Sequence, residues 1–177
     1  MRALVVYESM FGNTHQVAEA IADGLRPDYE VSVVSAHDAT AELSGIDLLV
    51  VGGPTHVHGM SSPRTRAGAP AAAAKAGDLA LEPNALGDGV REWFERLADQ
   101  VGGHGAAFDT RLGTTSAVVT GRASKGIAKR MRRHGIDVFV DPESFLVDGE
   151  THLLAGELER AHGWGRKLAG HAHRRPR

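Results

Sequence analysis

Two apolar runs, residues 3–7 and 46–51, each end in a glycine-marked polar stretch, "ESMFGNT" after the first and "GGPTHVHGM" after the second. The first run has no polar interruption and the second only Asp47, the pattern of strands covered on both faces. Val17, Ala18, Ile21, Ala22 and Leu25 then recur at helical spacing behind the first turn. A buried strand followed by a glycine turn and an amphipathic helix constrains the chain to a parallel sheet, because parallel neighbours need crossover connections.

The rest of the chain continues that alternation. Val31, Val33 and Val34 mark a more exposed strand, and residues 38–43 read as a short helix. Val90, Trp93, Phe94 and Leu97 line a helix that Asp88 is placed to cap. Residues 106–108 read as a short strand. Ile127 and Met131 lie on a helix with a basic end (Lys129, Arg130, Arg132, Arg133) closed by Gly135. Residues 137–140 form the last strand, followed by an extended "PESFLV". Leu154, Leu158, Ala161, Trp164 and Leu168 line a final helix. Five strands alternating with helices predict a doubly wound α/β sheet with helices on both faces, and right-handed crossovers leave few topologies. Residues 1–170 are expected to form one domain and 171–177 a flexible tail. The Ala-, Gly- and Pro-rich stretch 61–87 is too long for a plain connection and reads as an insertion, whether lid, mobile arm or oligomer contact.

Composition removes several classes of function. The 177 residues include no cysteine, so disulfides, thiolate nucleophiles and cysteine-ligated metals are excluded. A formal net charge of −2 gives no basic excess for nucleic acid. The N-terminal apolar run is too short for a membrane span or signal peptide, so a cytoplasmic location is expected.

In a sheet of this kind ligands sit beyond the carboxyl ends of the strands, where connections leave toward opposite faces. Both glycine loops lie there. Amides at the start of the helix after Thr14 would point at an anion, with the helix dipole adding partial positive charge. Gly12 permits close backbone approach, Asn13 tolerates unusual backbone angles, and Ser9 and Thr14 add hydroxyls. The loop has no lysine or arginine. It lacks both the G-x-G-x-x-G dinucleotide pattern and the G-K-[ST] end of a triphosphate loop, so a single terminal phosphate suits it best.

"YESMFGNT" resembles the phosphate loop of the flavodoxin-like family, T/S-x-T-G-x-T, through Ser9, Gly12 and Thr14. Phe11 replaces the usual threonine and brings the loop closer to the flavodoxin-like quinone reductases. "GGPTHVHGM" is similar to that branch's second flavin loop. The resemblance implies strand order 2-1-3-4-5 with FMN at the switch point between the first and third strands, for which flavodoxin is the standard example. It places the FMN phosphate on Ser9, Met10, Phe11, Gly12, Asn13 and Thr14. The ring would lie along Pro54, Thr55, His56, Val57, His58 and Gly59, and meet Phe108, Asp109, Thr110 and Arg111 at its other edge.

Neither flavin loop contains tyrosine or tryptophan, so no full aromatic sandwich and no strongly stabilised semiquinone is expected. His56 and His58 form an H-x-H pair, which is either a flavin-loop contact or solvent-exposed; a metal site would want further ligands. His15 is either a donor to the phosphate or an ordinary helix residue. Arg111 would pair with Asp109 or face the ring. "GRASKG", with Arg122 and Lys125, is a weaker candidate for an anionic second ligand such as a nicotinamide dinucleotide phosphate. No catalytic side chain stands out.

The resemblance therefore implies an FMN-binding redox protein. It would transfer electrons to a partner protein or reduce a quinone-like acceptor with NAD(P)H, and a homo-oligomer is open to it. The alternative is a flavin-free binding or regulatory domain that kept the fold. A phospho-receiver would want clustered acids at the first strand end, where only Glu8 lies.

Overall fold

The computed structural model describes residues 1–56, 59–114 and 121–172. The elements are β1 Arg2–Tyr7, α1 Asn13–Leu25, β2 Glu30–Ser35, β3 Leu48–His56, β4 Gly59–Met60, α2 Pro63–Arg66, α3 Ala69–Ala76, α4 Val90–Arg96, β5 His104–Leu112, α5 Ala123–Arg133, β6 Asp137–Val138, β7 Glu143–Val147 and α6 Glu157–Ala172. The sheet runs β2-β1-β3-β5-β6, with β7 also pairing β5 and β4 folding back on β3. All pairings are parallel except β3–β4. Counted by position across the sheet, this is the expected 2-1-3-4-5 order, with its last position shared between β6 and β7.

Two apolar layers sandwich the sheet. One face packs Val5, Val50 and Phe108 against α1 and α6. The other packs Val6, Val51 and Ala107 against α4 and α5, with Trp93, Phe94 and Met131 filling the space. The strands are buried on both sides, which explains why β1 and β3 read as unbroken apolar runs.

The structure corrects several sequence expectations. Residues 38–43 are irregular, with a turn at their start and a bend at Ala41, and form no helix. The strand expected at 106–108 is nine residues long, because pairing with β3 extends it from His104 to Thr110 and pairing with β7 carries it on through Arg111 and Leu112. Only two residues of 137–140 pair with β5, whereas the extended "PESFLV" holds five consecutive pairs. Pro142 lies between the two segments and supplies no N–H to a ladder. Gly89 rather than Asp88 begins α4. Its N–H donates to Glu92 Oε2 at 2.9 Å, while Asp88 pairs with Arg96. The stretch 61–87 contains α2 and α3, and α6 runs on through His171.

Gly24, inside the last turn of α1, lets α6 approach it. A β-carbon on Gly24 would overlap the carbonyl of His162, and one on Gly165 would overlap the carbonyl of Ile21. The two helices touch backbone to backbone. Gly165→Ala is therefore expected to lower stability by about 1–3 kcal/mol despite its better helix propensity. A thermal melt checks this, and an unchanged or raised midpoint would contradict the close contact.

Candidate functional site

The carboxyl end of the sheet opens into a cleft of about 370 Å³. Ser9, Met10, Phe11, Asn13 and Thr14 form one wall, and Pro54, Thr55 and His56 a second. Thr110 and Arg111 close it from β5. Residues from three separate segments that the sequence nominated thus converge on one concavity of ligand size.

The wall at α1 has the chemistry of an anion cradle. Gly12 sits at φ 87°, a left-handed conformation that costs an ordinary residue about 1–2 kcal/mol. Its N–H donates to Ser9 Oγ at 3.0 Å, which tightens the loop. No side chain caps α1 among the described residues, and its first turn carries no acid. By contrast, Ser62 caps α2. At α5 the amides of Ala123 and Ser124 donate to Thr55 Oγ1 and Asp109 Oδ2. The mouth of α1 is left with uncapped amides at one end of the cleft, as a bound phosphate requires. Thr14 Oγ1 lies in the same mouth, 2.8 Å from Thr110 Oγ1, so β5 fixes the orientation of the loop's hydroxyl.

The α5 contacts overturn two expectations. Asp109 is fully buried and serves as the anion at the start of α5, so it does not reach the cleft. That same carboxylate occupies the place where "GRASKG" would have received an anionic ligand. Arg122 instead donates to Ser144 Oγ and the Pro142 carbonyl. Phe108 is also absent from the site. It is a core residue, and its ring fills the space above Gly52 where a β-carbon would be. Strand alternation explains the split, since Phe108 points into one layer and Asp109 into the other.

Gly59 pairs with His56 in the β3–β4 hairpin and does not line the cleft. Val57 and His58 lie outside the described residues. His15 stacks on Tyr7, with ring centroids 4.4 Å apart, and its Nδ1 is 3.3 Å from Glu82 Oε1. Glu82 N–H also donates to the Met10 carbonyl at 2.9 Å. Met10, Ala69 and Ala85 form a small apolar cluster with Phe11 beside it. The 61–87 stretch is accordingly packed against the glycine loop.

Sequence reasoning missed the wall made by Val147, Gly149 and Thr151. Residues 147–153 form a turn closed by the Val147–Leu153 bridge and by Asp148 N–H donating to the His152 carbonyl. Asn13 Nδ2 donates to the Thr151 carbonyl at 2.6 Å, tying that turn to α1. The Asp148-Gly149 dipeptide is the turn signal that marks it in the sequence.

Behind the hairpin lies a buried ionic network. Glu8, the residue after β1, accepts from Ser61 Oγ and from Val90 N–H at 2.9 Å. Arg66 donates to Ser61 Oγ and to Glu92 Oε2, each at 2.9 Å. Arg66 Nη1 is 3.9 Å from Glu8 Oε1, and both side chains are buried. This network holds the return arm of the hairpin onto the end of β1.

His56 is pushed below the ordinary histidine pKa. Burial is the main cause, the Arg66 charge adds to it, and Glu8 opposes it. The native state therefore favours neutral His56, while the unfolded chain takes up its proton at the ordinary value of about 6.5. Stability contributed at higher pH is lost as pH falls through that value. His56→Asn is expected to flatten the rise in unfolding free energy between about pH 5 and 7. Identical pH profiles for the two proteins would refute this assignment.

Comparisons with known proteins agree with the geometry. The flavodoxin family model matches residues 5–68. A flavodoxin from the domain Archaea is 26% identical, with a TM-score of 0.64 over 98% of this chain and 99% of its own. Flavodoxin 2 from Bacillus cereus is 19% identical, with a TM-score of 0.65 over 97% and 99%. A flavodoxin, WrbA-like protein from Agrobacterium tumefaciens is 20% identical, with a TM-score of 0.59 over 99% of both chains. No curated protein matches the sequence. No described helix is long and apolar enough to cross a membrane. The sheet order, the glycine loop at the end of β1 and these likenesses together give the chain a flavodoxin-like fold, and residues 5–68 also match the flavodoxin family in sequence.

Proposed function

We propose that this protein holds FMN in the β1/β3/β5 cleft and works as a redox protein, reducing a quinone-like acceptor with electrons from NAD(P)H. The observation that carries this reading is the uncapped mouth of α1 opening into the same cleft as Pro54–His56 and Thr110–Arg111. Amides at that mouth, with the Ser9 and Thr14 hydroxyls, would take the phosphate. Pro54, Thr55 and His56 would border the ring, and the Arg111 guanidinium would favour negative charge on its reduced form. The bound flavin supplies the electron chemistry, and the chain positions it and limits water access.

Reductase is preferred to dedicated one-electron carrier because Phe11 is the only Phe, Tyr or Trp lining the cleft among the described residues. Tyr7 stacks on His15 instead, Trp93 is buried in α4 and Trp164 in α6. A ring without aromatic cover leaves one face open to a small acceptor. Titrating flavin-free protein with FMN by calorimetry tests the site. Stopped-flow oxidation of NADPH with menadione by the loaded protein then tests the reaction. No heat with FMN would remove the redox reading and favour a flavin-free binding domain. FMN uptake without NAD(P)H oxidation would leave the electron carrier.

A further inference from the structure

We propose that the exposed face of α5, together with Arg91, is the docking surface for an acidic protein that accepts electrons from the reduced flavin alongside the small quinone-like acceptor; this rests on the redox reading above. The eleven residues of α5 carry Lys125, Lys129, Arg130, Arg132 and Arg133, five of the chain's 20 Lys and Arg residues and none of its 22 Asp and Glu. A chain with net charge −2 therefore concentrates positive charge on one helix. Position within the helix accounts for only part of this, because a C-terminal dipole stabilises cations in the last turn but not at Lys125 or Lys129.

These cations make no direct ion pair among the described residues. Among the described residues no carboxylate lies within 4.0 Å of any of the five, whereas Arg26, Arg66, Arg96 and Arg160 all have such partners. Lys125, Lys129, Arg132 and Arg133 are exposed. Arg130 reaches the sulfur of Met60 at 3.7 Å, and Arg91 donates to the carbonyls of Met60 and Ser61 at 3.1 and 3.0 Å. Burial first, then the charges of Arg91 and Arg133, lowers the Arg130 pKa, with Glu95 and Glu92 opposing. The two guanidiniums gather around one residue under mutual repulsion, which an opposing anionic surface would relieve.

The location fits the use. Gly126 packs against the Met60 side chain, and Met60 pairs with Thr55, which lines the cleft. A partner seated on α5 therefore covers the outer side of the hairpin that borders the flavin. An eleven-residue helix spans about 16 Å, within the width of a standard interface patch of about 800 Å² per partner. A protein is favoured over nucleic acid because the positive region is short and acids outnumber cations in the whole chain, whereas a duplex presents continuous charge about every 1.7 Å.

The test uses a 20-residue polyglutamate peptide, a 20-base-pair duplex and phosphatidylserine vesicles as probes of the protein as purified. Its variants are Lys125→Glu/Lys129→Glu/Arg133→Glu and the neutral triple glutamine form. Peptide binding is expected to fall at least tenfold in both variants and to weaken from 50 to 300 mM salt. In the FMN-loaded, reduced protein, ferricyanide reduction at low salt should slow several-fold in the glutamate variant, while hexaammineruthenium(III) reduction speeds up. Peptide binding or acceptor rates indifferent to the variants would overturn the proposal, as would tighter binding of duplex or vesicles than of peptide. Failure to take up FMN would sink the redox reading, yet the peptide arm would still report on this surface.

Discussion

Arg66→Met is expected to lower the unfolding free energy by about 3–5 kcal/mol, the usual cost of removing one partner from a buried ion pair. Arg66 and Glu8 are 3% and 7% exposed, so water cannot replace the lost contacts. Without the guanidinium, Glu8 keeps Ser61 and Val90 as donors but loses its nearby positive charge. Glu92 keeps only the Gly89 amide among its partners described above. Methionine preserves most of the volume, so the loss reports charge rather than a cavity. Adding Glu8→Gln should recover part of it, because the uncompensated charge is then gone. Urea denaturation of the unaltered protein and the two variants measures both effects. A loss below about 1 kcal/mol for Arg66→Met would show that the network does not hold the hairpin to β1.

The second large effect concerns the ligand. Ser9→Asp is expected to weaken FMN binding at least 100-fold while leaving the fold intact or slightly more stable. Ser9 Oγ already accepts the Gly12 amide, and an aspartate would take the same role with a full negative charge. That charge suits an uncapped helix mouth and adds about 0.3–1 kcal/mol to folding. It also stands where a phosphate dianion must come. Two like charges about 4 Å apart repel by about 4 kcal/mol per unit pair at an effective dielectric of 20. Calorimetry with FMN and a thermal melt separate the two outcomes. Undiminished affinity would mean that the phosphate is not held at α1.

The sequence made the sheet legible wherever burial was two-sided. Val5, Val6, Val50 and Val51 face both layers, and so β1 and β3 appear as apolar runs. It was less informative where pairing, not hydrophobicity, decides the element. Glu143 and Ser144 are polar, yet both lie in a five-pair ladder with β5, whereas of the more apolar 139–140 only the Phe139 amide bonds that strand, through the Gly105 carbonyl at 3.3 Å. The glycine loop was readable because an anion cradle needs particular residue types at fixed offsets. Arg66 was not, since an arginine in "SSPRTR" looks like surface until Glu8 and Glu92, 58 and 26 positions away, are brought beside it. Phe108 and Asp109 failed for the converse reason. Nearness to a strand end says nothing about which layer a side chain enters.

The bare contact between α1 and α6 bears on how the protein is made. Gly24 and Gly165 bring together segments about 140 residues apart in the sequence. Without α6 the side of α1 that carries Gly24 would lose its cover, while the strands would still shield the rest of the stripe of Val17, Ile21 and Leu25. Chains lacking α6 would display the bare backbone around Gly24 and the flanking apolar edge of α1 to chaperones and proteases. Quality control on nascent chains would then act on completion of the C-terminal helix rather than on the flavin-bearing loops.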